Sequence, residues 1–262
     1  MASGDRLLEL YDAQLRGHVP DRLPPGVEID RDGPLVRIAG YGPQGWVEYR
    51  DLGEPTVDEL DRLIRAQIDW FAARGQPFEW KFHSHDRPPF LEARLRAAGF
   101  VAEDLETVVI APLDALGADG GPPPGVTLRE VREPADLERI SELESAVWGT
   151  DEHWHAEVLG EELAADPAGL AIFVAEGDGA VVCAGWVRFP SGTEFATLWG
   201  GATLPAWRGR GVYRALVHRR ARLARERGRR YLEVDASDDS RPILERLGFR
   251  AVTRTRPYVW SP

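Results

Sequence analysis

The stretch that decides the fold is Leu204-Pro205-Ala206-Trp207-Arg208-Gly209-Arg210-Gly211-Val212-Tyr213-Arg214-Ala215-Leu216. A strand-like run from Glu194 to Leu204 delivers the chain to it, and an amphipathic run from Val212 to Arg227 leaves it and stops at Gly228. A strand therefore enters a Gly-rich turn that opens a helix. The first N–H groups of a helix have no partner within it, and the helix dipole adds about half a positive charge at that end. Gly209 and Gly211 let the backbone approach a bulky anion, and Arg208, Arg210 and Arg214 surround it with full charges. These are the parts of a pyrophosphate cradle. The phosphate-loop pattern fails because no lysine is here. The dinucleotide fingerprint fails because it lacks a third glycine and an acidic ribose partner, with Tyr213 in the way.

Around this turn the second half alternates strands and helices. An edge strand, Val126 to Val131, precedes helices over Ala135 to Trp148 and Trp154 to Ala165. Strands from Leu170 to Ala175 and from Ala180 to Phe189 flank an Asp-Gly turn. After the long helix come a strand from Tyr231 to Ala236, a short helix capped by Ser237 or Asp238 and running to Leu247, and a last strand from Thr253 to Trp260. The first half repeats part of this order. A helix (Asp5 to Leu15) is followed by strands near Leu35 to Gly40 and Gly45 to Arg50. A second helix spans Val57 to Ala73, and the strand Phe78 to His83 leads into a helix ending at Gly99-Phe100. Aligning Arg87-Pro88 with Arg241-Pro242 sets Glu79 where Glu233 falls, which reads as internal duplication. Between the halves, the small, Gly- and Pro-rich run from Leu113 to Pro124 reads as a linker. The predicted division is residues 1–112, linker 113–124, and 125–262.

The arrangement resembles the GNAT superfamily of acyl-CoA-dependent N-acetyltransferases. The family pattern is Gln/Arg-x-x-Gly-x-Gly/Ala at a strand-to-helix turn. Arg208-Gly209-Arg210-Gly211-Val212-Tyr213 matches it except that Tyr213 replaces a small residue, and Leu244-Glu245-Arg246-Leu247-Gly248-Phe249 resembles the family's helix-to-Gly-Phe segment. The resemblance covers Gly125 to Trp260. It implies an α/β (α+β) fold, a mixed central sheet flanked by helices, in two tandem domains of which the first is degenerate. It also implies acetyl-CoA as co-substrate in the gap between the strands Glu194–Leu204 and Tyr231–Ala236, with no metal. The amides of Gly209, Arg210, Gly211, Val212, Tyr213 and Arg214 would hold the pyrophosphate beside Arg208. The backbone of Thr203 and Leu204 would pair with the pantetheine arm, and Ser237, Ser240 and Arg241 would border it. Where the first half would carry its own turn it reads Asp51-Leu52-Gly53-Glu54-Pro55, which would repel a pyrophosphate. That copy is expected to bind no CoA.

Transfer to an amine needs a base for the ammonium proton and a donor for the leaving thiolate. Glu233 and Asp235 share one face of their strand, opposite Leu232 and Val234, and are the base candidates; an Arg-paired or solvated carboxylate pair is the plain alternative. Glu194 is a third carboxylate, near the start of its strand. The tyrosine acid common in the family would fall at Leu244, so Tyr213 and Tyr258 are the possible substitutes. In this family the acceptor side involves the segment that here carries Trp148, Asp151, Glu152 and Trp154, aromatic and acidic residues suited to an amine or cation. The implied acceptor is a small-molecule or peptide amine. A non-catalytic acyl-CoA-binding or regulatory module is the alternative.

Composition narrows the remaining classes. The chain has 262 residues and a net charge of -11, which opposes unspecific nucleic-acid binding. The Arg-rich helix from Arg219 to Arg230 reads as amphipathic with a solvated arginine face. Cys183 is the only cysteine, so no internal disulfide forms. No apolar run reaches the roughly 18 residues of a membrane span and no signal peptide is visible, so a cytoplasmic location is expected. Lys81 is the only lysine. Coding bias toward arginine or a phosphate-binding role both account for that. Up to Gly120 there are 22 acidic and 13 basic residues, so the half without the turn carries most of the negative charge.

Overall fold

In the computed structural model, which describes residues 4–117 and 121–262, all described strands join one mixed sheet. The first half supplies α1 (Gly4–Gln14), β1 (Glu28–Asp32), β2 (Leu35–Ala39), β3 (Gly45–Glu48), α2 (Val57–Ala72), β4 (Phe78–His83), α3 (Leu91–Ala97), β5 (Val101–Ala102) and β6 (Glu106–Pro112). The second supplies β7 (Val126–Val131), α4 (Pro134–Trp148), α5 (Trp154–Ala165), β8 (Leu170–Gly177), β9 (Ala180–Arg188), β10 (Phe195–Thr203), α6 (Val212–Glu226), β11 (Tyr231–Ala236), α7 (Arg241–Leu247) and β12 (Arg250–Trp260). The sheet order is β1-β2-β3-β4-β12-β6-β11-β10-β9-β8-β7, with β5 beside β12.

In that order the strands of the two halves interleave. The last strand of each half lies in the other: β6 pairs with β11, and β12 pairs with β4. The sequence reading had no strand at Glu106–Pro112, yet Val108, Val109, Ile110 and Ala111 are completely buried. The linker also starts later than expected, since Leu113 and Leu116 are buried in the core; residues 118–120 of it lie outside the described residues.

Alternation along the strands sorts the helices. Leu232, Val234 and Ala236 pack with Leu216, Val217 and Ala221 of α6 and Leu244 and Leu247 of α7 on one face. On the other face α4 and α5 cover β8 and β9 through Leu137, Ile140 and Leu159. There α1 lies over the exchanged centre, with Leu7, Leu10 and Tyr11 against Val108, Ile110, Phe195 and Tyr231. Each fully buried leucine at this junction contributes about 1.5–3 kcal/mol of burial free energy, and the cluster joins side chains of both halves. Arg220 corrects the solvated-arginine reading of α6. It is 1% exposed, and its guanidinium donates from Nη1 to the carbonyls of Trp186 and Trp199, both at 3.1 Å.

Candidate active site

The site begins with a split in the sheet. β10 and β11 run parallel but pair only at Phe195–Tyr231, Ala196–Leu232 and Thr197–Glu233. Beyond Thr197 that edge of β10 has no partner strand. The cause is a bulge: the β9–β10 register breaks between Gly200 and Thr203, and Gly200 and Gly201 have φ of +67° and +106°. A Cβ at Gly200 would stand 2.6 Å from the Trp186 ring and one at Gly201 2.8 Å from the Tyr213 ring, so only glycine fits either place. Arg220, bonded to carbonyls on both β9 and β10, holds the bulge from beneath.

On the α6 face the gap opens beside the Gly-rich turn. Gly211 is the N-cap of α6 at φ +86°, and no side chain caps the helix. The first amide bonded within the helix is that of Ala215, to the Gly211 carbonyl at 3.0 Å, so the amides of Val212, Tyr213 and Arg214 precede the first helical bond. Arg208, Gly209, Arg210 and Arg214 are exposed around them. Tyr213 packs its ring against Gly201 in the core that supports the helix start, which is the role its position suggests rather than that of an acid. Ser237 and Ser240 lie between β11 and α7 and Arg241 opens α7, none of them buried; Arg241 Nε donates to Glu245 at 2.8 Å. α7 starts at Arg241 with Ser240 as its cap, later than a Ser237 or Asp238 cap would set it.

The backbone of Thr203 and Leu204, expected to meet the pantetheine arm, has partners within the protein. The Leu204 amide donates to the Val182 carbonyl at 3.0 Å, and the Thr203 carbonyl accepts from Arg208 Nε at 3.0 Å. The bulge turns these groups to neighbouring protein. What remains open is the bare edge of β10 before them.

On the opposite face, Glu233 and Asp235 point away from α6, as alternation requires. Glu233 is buried, and burial followed by the adjacent Asp235 charge pushes its carboxyl well above the usual range. Burial acts on Asp235 in the same direction, but the Lys81 ammonium outweighs it and holds this carboxyl below its ordinary value. The bond from Lys81 Nζ to Asp235 Oδ2 is 2.8 Å long. Glu79 and Glu106 stand at 3.9 and 4.0 Å from the same nitrogen. Burial, reinforced by Asp235 and Glu79 and opposed by Lys81, pushes Glu106 up to about 7. Tyr11 of α1 closes this side, its hydroxyl 2.9 Å from His83 Nε2. Sequence reasoning missed Lys81 and Glu106 because both come from the first half. Glu194 lies at the far end of β10, bonded to Gln14 and Arg230.

The residues expected on the acceptor side lie at the α4–α5 corner on this same face. Trp148 and Trp154 are 61% and 36% exposed. Their indole N–H groups donate to Glu144 at 2.6 Å and Glu152 at 2.9 Å. Asp151 accepts from the His153 amide at 3.1 Å. Trp154 stacks on His155 at 3.7 Å, and His155 meets Trp186 edge-on at 5.6 Å. The belt ends at Trp199, 45% exposed on β10, which sequence reasoning passed over. Its ring is fixed by a 2.8 Å bond to Thr197 and by Arg188 at 4.7 Å. Thr197 being level with Glu233, Trp199 flanks the gap across from Asp235.

Tyr258 is a correction. It is completely buried in the first half's core, opposite Trp80 on β4, and its hydroxyl donates to Glu92 at 2.5 Å. The exchange of β12 carries it away from the gap. Cys183 is buried, and burial pushes its thiol up to about 11, so it is no nucleophile.

Residues 136–249 match the model of the Acetyltransferase (GNAT) family. The second half of the chain therefore carries a GNAT acetyltransferase domain. In fold, the chain is similar to a GCN5-related N-acetyltransferase from Kribbella flavida, with a TM-score of 0.66 and 14% identity over 99% of this chain and 94% of that one. It is also similar to a tandem GNAT protein from the clavulanic acid biosynthesis pathway, with a TM-score of 0.63 and 18% identity over 91% and 84%. A functionally unknown conserved protein from Staphylococcus epidermidis gives a TM-score of 0.62 and 13% identity over 93% and 95%. No curated protein matches the sequence. Among the described residues no helix is long and apolar enough to cross a membrane.

Proposed function

The chain carrying a GNAT acetyltransferase domain, we propose that it transfers the acetyl group of acetyl-CoA to a primary amine of a small molecule or peptide, by direct attack in a ternary complex. One observation carries this reading. A single split in the sheet has an uncapped, arginine-ringed helix start on one face and a carboxylate pair on the other. The residues fit the co-substrate: the amides of Val212 to Arg214 and the side chains of Arg208, Arg210 and Arg214 would hold its phosphates. When bound, acetyl-CoA supplies a thioester activated toward amines.

The remaining roles fall to the chain. Asp235 is the base, since Lys81 keeps it ionised while Glu233 retains its proton. An acceptor ammonium is drawn by the Asp235 charge, loses its proton to that carboxylate directly or through water, and is walled by Trp199. Trp148, Trp154, Asp151 and Glu152 bind the body of the acceptor. The first half is a degenerate copy that binds no CoA, and residues 1–112 and 125–262 are the two duplicated units.

The test is release of CoA thiol from acetyl-CoA across a panel of amines. Amine-dependent release is expected, with Asp235→Asn lowering kcat by about 100-fold and leaving acetyl-CoA affinity unchanged. The second reading, an acyl-CoA-binding or regulatory module, is favoured by the buried Leu244 where many family members place a tyrosine acid. Acetyl-CoA binding with no amine-dependent release would establish it instead.

A further inference from the structure

Lys81 stands on β4 where Asp235 stands on β11, just as Glu79 stands to Glu233 in the duplicated register. Two strands, β12 and β6, lie between them. In a flat sheet three strand spacings of about 4.8 Å would separate β4 from β11, farther than a lysine reaches. The 2.8 Å bond therefore means that the sheet is concave on this face and folds the first half's lysine over the second half's carboxylates. Of the acidic groups around Nζ, only Asp235 is at hydrogen-bond distance. Glu79 and Glu106 stand about 1 Å farther, at 3.9 and 4.0 Å. The ammonium takes Asp235 Oδ2, and the buried carboxyl of Glu233 lies beside the same carboxylate as a side-chain hydrogen-bond partner.

We propose that Lys81, supplied by the degenerate half, is the positioning residue of the acetyl-transfer site: its ammonium holds Asp235 through Oδ2 in the place where that carboxylate meets the acceptor's ammonium. This rests on the acyl-transfer reading and gives the first half a part in the reaction without a cofactor site of its own. The groups facing the lysine or its carboxylate partners are Glu79 and His83 on β4, Glu48 on β3, Glu103 after β5, Glu106 on β6, Glu233 and Asp235 on β11, Tyr11 on α1 and Arg16 after it. Most are acidic. Burial opposes the lysine's charge, but Asp235, then Glu79 and Glu106, outweigh it and hold the ammonium well above its ordinary value. Lys81 thus stays cationic throughout the working range.

Two arms test this. In the first, the pH profile of kcat/KM is compared for the wild type, Lys81→Met and Lys81→Arg, with acetyl-CoA binding measured alongside. A cation favours the ionised carboxylate, so its removal moves the acidic limb of the profile to higher pH. The expected shift is roughly one unit or more, with kcat/KM at pH 7 down about 10-fold. Lys81→Arg should restore most of both, and acetyl-CoA affinity should stay within about twofold in each variant. An unmoved acidic limb in a folded Lys81→Met would overturn the proposal.

The second arm needs no turnover. Reductive methylation with 13C labels one lysine in this chain and preserves its charge. Its NMR titration should lie above that of a free lysine, near 10.4, and fall by about a unit in Asp235→Asn. Identical titrations in the two proteins would sink the coupling. If the wild type turned over no amine yet this arm succeeded, the acyl-transfer reading would fail while the Lys81–Asp235 link stood.

Discussion

The helix starts of α2 and α6 occupy the same place in the duplicated order, each joining two strands that run parallel, β3 to β4 and β10 to β11. They differ in what meets their free amides. At α2, Thr56 accepts from the Glu59 amide at 3.3 Å, and the Glu59 carboxylate accepts from the Thr56 amide at 2.8 Å, a reciprocal capping box. Asp58 adds a second negative charge to that turn. At α6 the cap is a glycine with no side-chain bond, and arginines surround it. The protein's own side chains satisfy the first helix end, and no side chain caps the second. The two helix starts thus differ in chemistry through a handful of residues at one turn.

Substitutions at the two turns should separate them. The largest effect is expected at Gly211. Its φ of +86° is hostile to a β-branched residue, so Gly211→Val should rearrange the cap and lower acetyl-CoA affinity by about 100-fold or more, read by calorimetry. Unchanged affinity in the folded variant would show that the cradle lies elsewhere. The smaller effect is expected at Thr56. Removing this cap in Thr56→Ala should lower stability by about 1 kcal/mol in denaturant unfolding, with acetyl-CoA affinity unaltered. A loss of affinity there would mean that the first turn also takes part in binding.

Local pattern carried the elements whose signals are local. The strands at Phe78–His83, Val126–Val131 and Tyr231–Ala236 and the helix at Trp154–Ala165 coincide with their sequence limits, and α4 and α6 differ by a residue. β6 escaped because its apolar run merges into a Gly- and Pro-rich stretch that reads as spacer. Its neighbour β11 lies more than a hundred residues ahead in the chain, so no local period announces the pairing. The same exchange explains the error at Tyr258: a last strand is expected beside its own half, and β12 instead crosses to β4.

At the site, the Gly-rich turn and the two carboxylates of β11 were legible because glycine, arginine and alternation carry their meaning in short windows. Trp199 was passed over because the bulge that exposes it depends on Gly200, Gly201 and the buried Arg220 acting together. Lys81 left a signal that was not used. The alignment that matches Glu79 to Glu233 also matches the chain's single lysine to Asp235.

The most direct measurement of the difference between the two halves is the stoichiometry of acetyl-CoA binding to the full chain by isothermal titration calorimetry. One molecule per chain is predicted, abolished by Gly211→Val and retained in Thr56→Ala. Two molecules per chain, or one that survives Gly211→Val and is lost on changing the first turn, would contradict the assignment of the cofactor site to the second half.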